Sequence, residues 1–258
     1  TIWISEFMKS LDDYKLYNPG LSDPLHGKVE NLVRRMLDEA KGLCMIGYPF
    51  PMCINDLLPL AMGPVEFLMT LADEPDKCRQ ILIDMWHLWF REYEYFRKLI
   101  DSTQEGHYWS WPGMWSRDMV ALTQSDMSCT IGPGNFEQFV CAELDLLGET
   151  YGTMWYHLDG PGAIKHLPAL LAKPYMKIIQ YVPGAGQPEN GPHWIDLYKQ
   201  VQAAGKGLDL DVPFENMEYL LKNLRPEGVV LRTYVESPEQ AEELLSNAVK
   251  ISGMNWVK

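Results

Sequence analysis

The chain has 258 residues, 47% of them hydrophobic, with 22 basic against 35 acidic side chains and a net charge of -13. That length can bury one large core, and a single barrel domain over 1–258 is a simpler reading than two smaller domains. The charge repels a phosphate backbone and no cluster of Lys and Arg offsets it, so nucleic acid is not expected as a partner; an acidic surface is otherwise an ordinary way to stay dispersed.

Thr1 opens an aromatic, amphipathic phrase with no initiating Met, which reads as a barrel whose first elements lie upstream. The apolar run 42–48, closed by Pro49 and Pro51, predicts a buried strand. Two helices follow. The first spans about 55–71 with Asn55 as its cap, and the second starts after Asp73-Glu74-Pro75-Asp76 and continues to about 100. The segment 119–123 reads as a strand, 124–133 as a loop and 136–147 as a helix. From there the rhythm is regular: strands near 153–157, 176–181, 207–212 and 228–234 alternate with helices near 163–171, 194–204, 215–224 and 238–249. Short apolar runs alternating with amphipathic helices predict an α/β fold with a parallel sheet. About six such units are legible where a (β/α)8 TIM barrel has eight, so the sheet is either a barrel lacking its N-terminal elements or open.

Five cysteines, widely spaced and with no Cys-x-x-Cys pair, indicate neither a disulfide framework nor a zinc knuckle. No window approaches the ~20 apolar residues that span a bilayer, and no leader is evident, so the expectation is a cytoplasmic protein with no membrane partner.

If the sheet closes, the loops after successive strands share one rim, and polar residues far apart in sequence become neighbours there. The candidates in strand order are Gln124 and Asp126; His157 and Asp159; Gln180 and Tyr181; Asp209 and Asp211; and Arg232, Tyr234 and Glu236. His157-x-Asp159 places two side chains on one side of an extended segment, so both can approach one cation, with Glu236, Asp126 or Asp211 as a third ligand. Alternatively the carboxylate orients the imidazole for acid or base work. The plain alternative is a satisfied histidine beside an Asp that caps the next helix. Trp109, Trp111 and Trp115 flank Pro112-Gly113 and suggest an aromatic wall or lid over an organic molecule, or equally a packed interface. No G-x-S-x-G, H-E-x-x-H or P-loop pattern occurs.

Taken in order, Gly63-Pro64-Val65-Glu66-Phe67 to Asp73-Glu74-Pro75, Ser125-Asp126 to Gly132-Pro133, His157-Leu158-Asp159-Gly160, Ile179-Gln180 and Gly205-Lys206 resemble the uroporphyrinogen decarboxylase superfamily. That superfamily includes the corrinoid-dependent methyltransferases. The resemblance runs from about 42 to 250 and implies a (β/α)8 barrel acting on a small organic substrate at the strand C-terminal rim. The methyltransferase branch implies a His-x-Cys element and a later cysteine on zinc; here His157-x-Asp159 stands instead, with no cysteine after Cys141. A metal, zinc or another divalent ion, would then rest on His157, Asp159 and Glu236, and a corrinoid would come on a partner protein. The decarboxylase branch implies a carboxy-lyase needing no cofactor, with Asp126 as a charge-stabilising carboxylate. The leading expectation is a methyltransferase-like enzyme with His157, Asp126 and Asp159 catalytic and Trp109, Trp111, Gln124, Gln180, Tyr181 and Arg232 on the substrate. The alternatives are a decarboxylase and a non-catalytic corrinoid or small-ligand binding protein.

Overall fold

A computed structural model describes residues 5–15, 23–48 and 53–253. The chain divides into two compact units: the first comprises residues 1–127 and 131–153, the second residues 128–130 and 154–258.

The first unit is mainly helical. Helix α1 (Pro24–Ala40) starts where the Asp23 carboxylate accepts from the Leu25 amide at 2.6 Å and Pro24 presets the first turn. It buries Val33, Leu37 and Ala40, a spacing that keeps one stripe inward. The predicted strand at 42–48 does not form. Residues 41–43 are a turn after α1 and 44–48 are irregular, with Leu43 84% exposed. An apolar run alone does not make a strand without a neighbour to pair with. Pro49 and Pro51 lie outside the described residues.

The predicted helix 55–71 is real but broken. A 3-10 turn (Ile54–Asp56) leads into α2 (Leu57–Met62), and α3 (Pro64–Asp73) follows after Gly63. Gly63 has φ +87°, a backbone conformation that L side chains rarely adopt, so the break favours glycine. Helix α4 (Pro75–Asp101) matches the expected second helix and buries Ile81, Leu82, Trp86, Tyr93, Phe96 and Ile100. The aromatic segment forms an antiparallel hairpin of β1 (His107–Trp109) and β2 (Met114–Ser116). Strand β3 (Ala121–Gln124) precedes α5 (Pro133–Asn135), a π turn (Phe136–Val140) and α6 (Cys141–Tyr151). Phe139 packs on Phe67 with ring centroids 5.3 Å apart.

In the second unit the alternation appears as predicted: β4 (Met154–Asp159), α7 (Leu167–Ala172), β5 (Met176–Val182), α8 (Ile195–Ala203), β6 (Gly207–Asp211), α9 (Phe214–Asn223), β7 (Val229–Arg232) and α10 (Pro238–Ser252). β4 pairs with β5, β5 with β6 and β6 with β7, all parallel and in chain order. The fold class is therefore α/β with a parallel sheet flanked by helices. Among the described residues the strand order ends at β7 and does not close into a barrel.

Candidate functional site

Parallel strands in chain order bring all their carboxyl ends to one edge, which is where α/β proteins place their chemistry. In the second unit the register sets His157 beside Gln180 and Gln180 beside Asp209; Asp211 faces Arg232 in the next pair. Strand side chains alternate, so Trp155, His157, Gln180 and Asp209 share one face of the sheet. Hydrogen bonds join them in two pairs.

The Trp155 indole N–H donates to Asp209 Oδ2 at 2.9 Å, and Arg232 holds Asp209 Oδ1 at 2.6 Å and Asp211 Oδ1 at 2.9 Å. The half-buried His157 ring lies nearly parallel to Trp155, with centroids 6.3 Å apart, and its Nδ1 bonds to Gln180 Oε1. The bond ties the imidazole through Nδ1 to the neighbouring strand. Gln180 is 4% exposed and Asp209 2%, so both partners are fixed by packing. Burial pushes the Asp209 carboxyl up, against the Trp155 N–H and the Arg232 charge, which hold it down.

Other predicted residues lie elsewhere in this unit. Asp159 is exposed at the end of β4, opposite Val182. Tyr181 is on the opposite face from Gln180, buried against Trp194 at 5.1 Å and Tyr198 at 6.5 Å. Glu236 is exposed beyond β7, where its amide donates to Gln240 Oε1 at 2.8 Å. His157, Asp159 and Glu236 are not gathered: among the described residues no group of three or more His, Cys, Asp or Glu is arranged to hold a metal ion. The donor set expected from the sequence therefore does not fit a metal centre.

A cavity of about 520 Å³ opens at the ends of β5, β6 and β7. Its floor is stitched by Asn190, 3% exposed, whose amide donates to Tyr181 O at 3.1 Å and Asp211 O at 2.9 Å, while the Tyr198 hydroxyl donates to Asn190 Oδ1 at 2.7 Å. The segment after β5 is thus tied to the ends of β5 and β6 through one buried side chain.

The first unit holds a second polar group, at the end of β3. Gln124 Nε2 donates to Asp126 Oδ1 at 2.8 Å and reaches Asp56 Oδ2 at 3.5 Å, while the Asp126 amide donates to Asp56 Oδ1 at 2.9 Å. Asp56 is pushed up to about 7, first by burial and then by the Asp126 charge, against the N–H donors that favour its ionised form. Beneath it the fully buried Glu143 accepts from the amides of Ile54 and Asn55 at 2.9 and 2.7 Å and from Asn55 Nδ2 at 2.7 Å. Burial outweighs these donors and takes Glu143 to about 8. Trp109 is 3% exposed and packs edge-on against Tyr48 at 5.3 Å; Trp111 is 49% exposed in the hairpin turn.

The sequence reading missed Asp56 and Glu143. The available signal was a carboxylate inside an apolar helical stretch, in Ile54-Asn55-Asp56-Leu57-Leu58 and Cys141-Ala142-Glu143-Leu144. Comparisons with protein-family models, with curated proteins and with solved structures find no match to this chain.

Proposed function

We propose that the chain is an enzyme that works on a small organic substrate at the carboxyl edge of its parallel sheet, with His157 as the general base. The sheet is read as part of a (β/α)8 barrel and the enzyme as a methyltransferase-like member of the uroporphyrinogen decarboxylase superfamily. The observation that carries this is the His157–Gln180 bond: it holds the imidazole through Nδ1, on a sheet face that also bears Trp155, Asp209 and Arg232. In that role the imidazole takes the proton from a thiol whose sulfur bonds to the methyl carbon, while the bond from that carbon to the methyl donor breaks and its electron pair leaves with the donor. Gln180 and Trp155 hold the ring in place. No step is routed through a metal.

The decarboxylase reading has less support. A substrate with many carboxylates needs unpaired cations, whereas Arg232 is bonded to two aspartates.

The test is turnover by purified protein in two assays, methyl transfer from methylcobalamin to a small thiol and decarboxylation of uroporphyrinogen. Methyl transfer is expected, and His157→Ala should lower kcat by about 10²- to 10⁴-fold, the usual contribution of a positioned acid or base, at unchanged melting temperature. Decarboxylation alone would replace the reading with the second branch. Absence of both activities, or full activity in His157→Ala, would overturn it.

A further inference from the structure

The cavity at the ends of β5, β6 and β7 is not accounted for by His157 chemistry alone. Its volume, about 520 Å³, lies within the range of small-molecule sites, about 300–1,000 Å³. Asn190 fixes the segment after β5 against the end of β6, so that part of the wall is in place before a ligand arrives. The walls are mixed in a specific way. Val182, Pro183, Val212 and Pro213 supply apolar surface, Glu189 and Asp211 supply negative charge, and Phe214 and Tyr234 supply aromatic faces, 44% and 95% exposed.

Arg232 also lines the cavity, but its charge is committed. It sits 2.6 Å from Asp209 and 2.9 Å from Asp211, so carboxyl groups already hold it on two sides, and Glu189 adds a negative charge to the wall. The field of a chain with net charge -13 has the same sign. An anionic ligand is repelled and a neutral one gains nothing from the carboxylates. An organic cation gains from both carboxylates and, through its charge, from the aromatic faces.

We infer that this cavity binds a small organic ammonium ion with an apolar body, its cationic head between Glu189, Asp211 and the rings of Phe214 and Tyr234. This deepens the enzyme reading by naming a substrate class for the same strand edge, and it rests on that reading only for the step after binding.

The experiment is calorimetric titration of the full chain with three isosteric probes: choline, the neutral 3,3-dimethylbutan-1-ol and the anionic 3,3-dimethylbutanoate. Choline should bind about tenfold or more tightly than the alcohol, and the carboxylate weakest. Glu189→Gln and Tyr234→Ala, both at exposed positions, should each weaken choline by about threefold or more and leave the fold intact. Asp211→Asn, which releases Arg232 from one partner, should shift the preference towards the carboxylate. Equal or tighter binding of the alcohol or the carboxylate overturns the inference, as does no binding by any probe or choline binding unmoved by both exposed variants. His157→Ala separates the two claims. Choline binding retained there without His157-dependent turnover in the wild type sinks the enzyme reading alone; turnover with no cation preference sinks only the ammonium site.

Discussion

Glu143 belongs to α6, yet its carboxyl group serves residues 54 and 55. Three N–H groups at the start of the Ile54–Asp56 turn converge on it, a role that a local Ser or Asp usually fills at a helix start. Removing the acceptor leaves buried donors without partners, each costing about 1–3 kcal/mol. Glu143→Ala should therefore destabilise the protein by about 3 kcal/mol or more in denaturant titration, well beyond the loss of a buried side chain at an ordinary helix position. A loss under about 1 kcal/mol would mean that water or another group replaces the carboxyl at little cost. Residues of this kind were barely legible in the sequence. An isolated carboxylate in an apolar stretch announces that something is paired with it, but the partner lies 89 residues away.

The aromatic hairpin shows what an element adds to its residues. Trp109, Trp111 and Trp115 look alike in the sequence, and the lid and the packed-interface readings apply equally to all three. The strand register separates them: Trp109 points inward against Tyr48, whereas Trp115 is 51% exposed and Trp111 occupies the connecting turn. Trp109→Ala should cost about 3–5 kcal/mol, the usual loss for a buried large aromatic. Trp111→Ala should stay within about 1 kcal/mol, as expected away from the core. Thermal melts of the two variants read the difference directly, and equal losses would place Trp111 in the core with Trp109. The same dependence on pairing explains the other outcomes. The strands β4 to β7 were legible because each apolar run is bounded by turn residues and amphipathic helices. The 42–48 run lacked nothing in hydrophobicity but found no strand partner, and the helix across 55–71 was divided by a backbone angle that Gly63 permits.

At the scale of the whole molecule, buried carboxyls shape the pH response, Asp209 adding in the same direction to two others. Asp56, raised from 3.8 to about 7, and Glu143, raised from 4.5 to about 8, bind protons more tightly folded than unfolded. Between pH 5 and 8 the folded state then holds more protons than the unfolded state, so stability falls as pH rises through that window. Self-repulsion of a chain with net charge -13 acts in the same direction, but salt screens exposed charges far more than buried ones. The melting temperature should fall from pH 5 to pH 8, keep most of that slope in high salt, and lose only part of it in Asp56→Asn, where Glu143 still supplies the rest. A melting temperature that climbs across this range would mean that both groups are ionised in the fold at neutral pH.

By itself the sequence determined the α/β class, the four helix-flanked strands of the second unit and the polar residues at their ends, because side-chain periodicity and turn chemistry are local. Only the tertiary structure decided which of those polar residues meet. Alternation along β5 puts Gln180 against His157 and Tyr181 against Trp194, and parallel register joins Trp155 to Asp209 and Arg232 to both aspartates. Chemistry at a strand edge depends on distances across the sheet, and register between separate strands fixes those distances.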